Sequence, residues 1–590
     1  MAKYSVHQQP VETLLSWIKS QEIAIPEIQR PFVWKSAQVR DLIDSLYKGY
    51  PIGYIITWRN HDVKTKDGQI AQGRKILIDG QQRVTAITAA IAGKRVLDKK
   101  YKEKSINISF NPLTETFDVL NSAQERSPQW VNTIQPIVND EVSISKTIRD
   151  YLSENPDADE AIVEERFENL KKIKNKQVGI IELDQSLDID TVTEIFIRIN
   201  QSGVVLSNAD FVMSKIASDR EYGGNKMRKL VDYFCRLITD RDFKKHIEDN
   251  DPEFAQHPYY QALKWMADGK DDLYRPEYAD ILRVAFTNRF SRGKFSDLVA
   301  LLSGRNFETR KYEEEIARAS YGKLEAGLLD SVNQTNYQRF LMLLESAGFI
   351  STKMISSKNS INFAYALFLK LRNDKCSDPE IQHFVKSWLI ISLLIGRYSG
   401  SSESKIDEDI KLINDKGIGA TLNMMEETYL GEGFWEHGLV QNLETSSTNN
   451  NAYNVYVAAQ VYFGAKAFLS DSMTISSLLG QRGDIHHIFP RGFLKSHNFS
   501  QRMYNQVANY VHTEQATNTK IGMAGPVDYM GRVKAEITNG HRELSSIKSE
   551  EALRQNLEEN DLPHNLHEAK AEDYEDFLIV RRKKMAAKIK

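Results

Sequence analysis

Hydrophobic and polar positions change period repeatedly near the start of the chain. Val11, Leu14, Leu15 and Ile18 share one face of a helix predicted over Pro10 to Ser20. The next stretch, IAIPEIQRPFVW, is broken by Pro26 and Pro31, which drive the residues before them away from helical angles, so it reads as extended. Ser36 is placed to cap a second helix with Val39, Leu42, Ile43 and Leu46 on one side, closed by Gly49 and Pro51. IGYIITW and KILID predict strands, and QQRVTAITAAIAG predicts a helix stopped by Gly93. SINISF, TFDVL and QVGIIELD predict further strands. Asp190 to Asn200 reads as helical, and Ser207 with Asp210 resembles a capping box for a helix through Ile216.

Short strands mixed with helices make residues 1–220 one αβ domain. Residues 221–430 carry a mostly helical pattern without an internal repeat. Leu443 to Asn454, LETSSTNNNAYN, is polar and turn-rich and reads as a linker or surface loop. A helix is predicted from Val455 to Leu469. Tyr574, Phe577, Leu578, Met585 and Ile589 recur at helical spacing, so Glu572 to Ile589 is expected to pack across a last domain, residues 431–590. The fold class is α+β and largely helical.

At 590 residues the chain is too long for one hydrophobic core. The longest apolar run, Trp388 to Ile395, is too short to span a bilayer and reads as a buried helix. The start, MAKYSVHQQPVETLL, has no apolar signal core, so the expected location is cytoplasmic and no membrane is expected as a partner. Two cysteines, Cys235 and Cys376, cannot build a four-thiolate zinc site, so any metal must be held by His, Asn, Asp or Glu. With 77 basic and 80 acidic residues, nucleic acid cannot be bound by bulk charge; basic groups would have to be concentrated locally. One cluster is the tail with Arg581, Arg582, Lys583, Lys584, Lys588 and Lys590, which reads as a solvated helix face ahead of a DNA contact.

Two stretches carry candidate chemistry. The first is GDIHHIFPRGFL, Gly483 to Leu494, followed by VANYVHTEQATNTKIG, Val507 to Gly522. Phosphodiester hydrolysis needs a base to activate water and a cation to neutralise developing charge, both rigidly placed. Adjacent histidines on a strand point to opposite faces, so one can bind metal while the other acts as base. A His-His pair alone reads first as two buried histidines; the IFP that follows and the two asparagines downstream favour the chemical reading.

This constellation resembles the ββα-metal, or HNH, nucleases. The resemblance implies His486 and Asn518 as metal ligands, His487 as general base, and Asn509 as the central Asn that braces the loop through backbone hydrogen bonds. Asn509 and Asn518 stand nine apart (518 − 509), a spacing that suits the family. Asp484 would orient a ring nitrogen. Asn in the last ligand position favours Mg²⁺ or Mn²⁺ over Zn²⁺. His497 and His512 lie nearby but fit no role in the pattern.

The second stretch is ILIDGQQRVTAI, Ile76 to Ile87: a strand, a sharp turn at Asp79 and Gly80, and a helix opened by Gln81, Gln82, Arg83 and Thr85. Free N–H groups and the helix dipole there suit a phosphate, and Arg83 adds a bidentate donor. Equally, polar residues can simply satisfy a helix start. Gln29, Arg30 and Trp34 lie upstream; Phe196, Arg198, Asn200, Gly203 and Asp210 lie downstream in FIRINQSGVVLSNAD. No Walker-type P-loop is present.

The three blocks in order resemble the ParB-like domain of GmrSD-type, modification-dependent (type IV) restriction enzymes, which are related to phosphorothioate-sensing defence proteins. That resemblance implies nucleoside triphosphate binding and hydrolysis at the DGQQR segment, alongside an HNH domain elsewhere. Arg83 and Arg30 would hold phosphates, Asp79 would coordinate Mg²⁺ or orient water, and Gln81 or Gln82 would position it. Gln29, Trp34, Gly80, Thr85, Arg198 and Asn200 would complete the nucleotide site. GRYSGSSES, Gly396 to Ser404, also looks like a family loop and reads as a surface turn.

The implied function is NTP-regulated cleavage of foreign, phage-borne double-stranded DNA with modified cytosine, by a chain that a homodimer would suit for double-strand cutting. Alternatives are a phosphorothioate-sensing defence nuclease, a ParB-like DNA-binding protein with an inactive HNH domain, and an HNH toxin.

Overall fold

The computed structural model describes residues 3–20, 22–24, 34–59, 75–97, 103–184, 186–187, 192, 195, 208–219, 221–268, 273–311, 313–480 and 484–590. The chain forms two compact units, Met1–Arg228 and Lys229–Lys590. Residues 229–430 and 431–590 thus lie within one unit.

The N-terminal unit is built on a five-stranded mixed sheet. In chain order its strands are β1 (Tyr4–Pro10), β2 (Ile23–Ala24), β3 (Tyr54–Arg59) and β4 (Lys75–Asp79), with three small pieces β5 (Val96–Leu97), β6 (Glu103–Lys104) and β7 (Ile108–Asn111), then β8 (Thr116–Val119) and β9 (Gln177–Leu183). The sheet order is β1-β9-β3-β4-β2, while β5–β6 and β7–β8 pair separately. β9 runs parallel to β3 and antiparallel to β1. Alternation divides the faces: Ile55, Leu77, Val178 and Ile180 join the main core, and Ile56, Trp58 and Leu183 form a smaller cluster with Val192.

Helices Val11–Lys19, Ser36–Lys48 and Gln81–Ala92 match the predicted periodicity. β1 is an edge strand that the sequence pattern does not announce. Ser36 is not the cap: the Gln38 side chain accepts the Lys35 N–H at 2.9 Å, and the Ser36 hydroxyl accepts from Lys104 Nζ at 2.7 Å. The helix expected over Asp190 to Asn200 lies largely outside the described residues, as does Ser207. Helix Asn208–Ser218 covers the region beyond it.

Among its described residues the second unit is mostly helical, with one ladder, β10 (Asp484–His487) with β11 (Tyr510–Thr513), and an isolated bridge between Lys466 and Thr474. Its centre is helix Lys358–Asn373, in which every residue from Ser360 to Leu369 is buried. Trp388 lies buried in helix Asp378–Leu394, as the apolar run there implies. No helix among the described residues is long and apolar enough to cross a membrane.

Three expectations for this unit change. The loop GRYSGSSES is anchored rather than superficial. Arg397, 6% exposed, binds the fully buried Asp409 at 2.5 Å, and the Tyr398 hydroxyl donates to the same carboxylate at 2.9 Å. A buried carboxylate needs such a fork, which period alone does not reveal. The helix expected to reach Leu469 is Asn451–Tyr462; Gly464, at φ +68°, ends it. The released segment runs onto the ladder, where Phe468 N–H donates to the His512 carbonyl at 2.8 Å. Of LETSSTNNNAYN, Asn451 to Asn454 open that helix and the rest is a short surface loop within the unit rather than a linker: Leu443 is buried, and the Thr445 carbonyl accepts the Val507 N–H at 2.8 Å.

The basic tail is a solvated face only in part: Lys583 and Lys590 are exposed, whereas Arg581 and Arg582 are buried. Helix Tyr574–Ile589 packs on the ladder region through Tyr574 and Phe577, whose rings flank Phe489 at 5.1 and 4.9 Å. Arg581 is fully buried and donates to the Ala508 carbonyl at 2.8 Å, while Lys588 pairs with Asp561 at 2.9 Å.

Candidate active site

The His-His pair lies on β10, where His486 faces Val511 and His487 faces Tyr510 in the antiparallel register. Adjacent strand residues take opposite faces, and the surroundings of the two rings differ accordingly. His486 is stacked on Phe468 (centroids 6.3 Å apart) and edge-on to Tyr529, and its Nδ1 lies 2.6 Å from Asn518 Oδ1 on helix Gln515–Ile521. His487 packs edge-to-face on Tyr510 at 4.9 Å, and its Nε2 lies 3.1 Å from Asn505 Oδ1.

Asn509 joins the parts. Fully buried, it accepts the Phe489 N–H through Oδ1 at 2.9 Å and donates through Nδ2 to the Phe489 and Tyr504 carbonyls, each at 3.1 Å. Its own carbonyl accepts the Ile488 N–H at 2.8 Å. One side chain therefore closes both ends of the loop between the strands. The Tyr529 hydroxyl donates to the Ile488 carbonyl at 2.9 Å and fixes the turn from the other side.

Burial depresses the pKa of both rings to about 4; at His487 the Asn505 hydrogen bond opposes this and the Arg491 charge adds to it. Both imidazoles are thus neutral near pH 7, each with a lone pair to offer. With Asn505 Oδ1 against Nε2 of His487, Nε2 carries the proton and Nδ1 is left as the basic atom. His486 Nε2 is buried without a hydrogen-bond partner.

The donor atoms suit a hard cation at one corner. His486 Nδ1 and Asn518 Oδ1 lie 2.6 Å apart as a hydrogen bond with the proton on Nδ1; with that proton moved to Nε2 and a few tenths of an ångström of opening, both atoms could face a cation, neighbouring ligands on octahedral Mg²⁺ lying about 2.9 Å apart. Among the described residues no group of three His, Cys, Asp or Glu converges. The Asp484 backbone pairs with Thr513 in the ladder.

Two residues here escape the motif. Asn505 lies outside the two histidine and asparagine stretches, and only its hydrogen bond with His487 marks it. His512 is buried with both ring nitrogens unpartnered, and burial lowers its pKa to about 4.

The DGQQR segment has another character. Asp79 ends β4, Gly80 takes φ +93°, and helix Gln81–Ala92 begins at once. A Cβ on Gly80 would meet Ile55 Cα at 3.2 Å, so both backbone angle and space call for glycine. Arg83 Nη2 donates to Asp79 Oδ2 at 2.9 Å and to the Tyr54 carbonyl at 2.7 Å, folding over Gly53. Asp79 and Arg83 therefore hold each other, and Tyr54 is a partner the motif does not indicate. Gln81 and Thr85 are half-buried on the same helix, Gln82 is buried, and Trp34 packs half-buried against the main core. Gln29, Arg30, Arg198, Asn200, Phe196 and Gly203 lie outside the described residues.

Comparison with known proteins bears on both units. An uncharacterized protein of Methanocaldococcus jannaschii is 23% identical over 552 residues, covering 86% of this chain and 84% of that one. Residues 11–217 match the family model described as the GmrSD restriction endonuclease, N-terminal domain, and this part of the chain is therefore similar to the N-terminal domain of those enzymes.

Proposed function

We propose that the protein is a metal-dependent DNA endonuclease of the GmrSD type, with its cutting centre at His486–His487. The observation that carries this reading is the ladder itself: two neutral histidines on opposite faces, one converging with Asn518 and the other held by Asn505, around a loop closed by Asn509.

In this reading His487 Nδ1 takes the proton from the attacking water as the phosphodiester is cleaved. Asn505 fixes the ring's tautomer and Asn509 fixes the strand end that carries it. His486 and Asn518 would hold Mg²⁺ or Mn²⁺, which would supply charge neutralisation at the phosphate. The N-terminal unit would bind and hydrolyse a nucleoside triphosphate and gate cleavage, restraining the nuclease from unmodified DNA. Foreign DNA carrying modified cytosine is the proposed substrate, and a homodimer would place one centre on each strand.

The test is cleavage of unmodified, hydroxymethylated and glucosylated phage DNA with Mg²⁺ or Mn²⁺, with and without each NTP. His487→Ala should lower cutting by roughly 10²–10⁴ while DNA binding persists. Cutting at the wild-type rate would remove His487 as the base.

A further inference from the structure

The helical part of the second unit contains a cavity of about 610 Å³, within the range of small-ligand pockets (about 300–1,000 Å³). Its lining includes Trp265, Lys244, Lys264, Gln261, Asn333 and Gln334, and no carboxylate. In a chain with more acidic than basic residues, that is a local excess of positive charge. Neither lysine makes an ion pair among the described residues.

The aromatic wall is fixed in place. Trp265 Nε1 donates to the Val332 carbonyl at 3.2 Å, and its ring packs on Tyr337 at 5.7 Å and Phe234 at 6.4 Å. The indole is only partly buried, so it lines the cavity with its orientation already set. Helix Gln334–Ser346 begins at the cavity, with Asn333 as its cap: Oδ1 accepts the Asn336 N–H at 3.0 Å, which leaves Nδ2 free to donate. The positive end of that helix adds to the two lysines. Gln261 and Gln334 bring amides, each with donor and acceptor. A flat ring, a set of amides and unpaired cations fit a ligand that is at once planar, hydrogen-bonding and anionic.

We propose that this cavity holds one nucleotide of an unpaired DNA strand, with its base against Trp265, its edge on the amides and its flanking phosphates on Lys244 and Lys264. The inference rests on DNA being the substrate but not on where cleavage occurs. Stacking on a fixed aromatic is tolerant of base identity, and amides at the edge add discrimination. Such a pocket would receive a base from a locally opened duplex.

The test uses the full chain in EDTA, where binding is read without cleavage. A short oligothymidylate carrying 5-iodouracil is cross-linked by ultraviolet light, and the modified peptide is identified by mass spectrometry. The cross-link should fall on the peptide containing Trp265. By fluorescence anisotropy, Trp265→Ala should weaken binding about tenfold or more, and Trp265→Phe should retain most of it. The pair Lys244→Gln and Lys264→Gln should reduce the salt slope by about 1.4, about 0.7 for each phosphate no longer neutralised. Lys264 is exposed and Lys244 half-buried, and glutamine keeps most of each stem, so this arm stands even if Trp265→Ala fails to fold. Displacement by thymidine monophosphate would identify a free nucleotide as the occupant and overturn the strand assignment. Cross-links confined to other peptides, with affinity unchanged in the lysine variants, would overturn the site altogether. Loss of cleavage in His487→Ala leaves this result untouched, so the two readings fail separately.

Discussion

The two stretches with candidate chemistry treat their polar groups in opposite ways. At the DGQQR turn, Asp79 and Arg83 pair with each other, about a quarter exposed, although Arg83 Nε is buried without a partner, and the strand end is held by glycine geometry. At the ladder, three histidines are buried; His486 keeps one nitrogen without a partner and His512 keeps two. A paired turn gains order. A buried, unpartnered imidazole nitrogen gains no stability and, unlike the Arg83 guanidinium, can exchange a proton or take a metal. The difference separates a segment that shapes its surroundings from one poised for chemistry.

The largest effect on that contrast should come from Asn509→Ala. Three side-chain hydrogen bonds disappear from a fully buried site, leaving the Phe489 N–H and carbonyl unpaired and the Tyr504 carbonyl to the Tyr574 hydroxyl at 3.4 Å. We expect a loss of about 3 kcal/mol, read as roughly hundredfold faster hydrogen exchange at the Phe489 amide, together with loss of cleavage. Unchanged exchange there would mean that the loop is held by something else.

A smaller effect should appear on acidification in metal-free buffer. His486, His487 and His512 each have a folded pKa near 4, below the ordinary value of 6.5, because burial disfavours the charged ring. Above pH 6.5 both folded and unfolded chains hold neutral rings and stability is full. As pH falls below 6.5 the unfolded chain takes up protons first, so stability declines progressively toward pH 4. Between pH 6.5 and 5.5, above the carboxylate range, the urea midpoint of the second unit should fall. A flat midpoint over that window would show that the rings are not desolvated.

The smallest effect concerns the paired turn. A double-mutant cycle on Asp79→Ala and Arg83→Ala should give a coupling of about 1 kcal/mol or less, since both groups keep solvent access. If either substitution also reduces NTP turnover, the pair has a chemical role beyond bracing. Unchanged turnover in both would return the segment to a capped turn.

Much of the fold is legible in the sequence where period and chemistry agree. The strands IGYIITW, KILID and QVGIIELD, the helix stopped by Gly93, and the packing of Tyr574 and Phe577 follow from apolar spacing. What is not legible involves partners distant in sequence. Arg397 reads as a surface residue until Asp409 is brought beside it. Asn505 is an ordinary polar residue until His487 faces it. Arg581 sits in a run of basic residues, and nothing local separates it from Lys583; only the Ala508 carbonyl does. Edge strand β1 has too little alternation to announce itself, and its identity depends on pairing with β9.

Arg581 also has a consequence in time. Its guanidinium donates to the carbonyl immediately before Asn509, and the Tyr574 hydroxyl donates to the Met503 carbonyl at 2.9 Å. The ladder ends at Thr513, yet the helix that clasps it starts only at Tyr574. A ribosome must therefore finish that helix before the histidine centre can close. A chain truncated before Tyr574 would lack this clasp, so closure of the centre waits on a helix made well after the ladder.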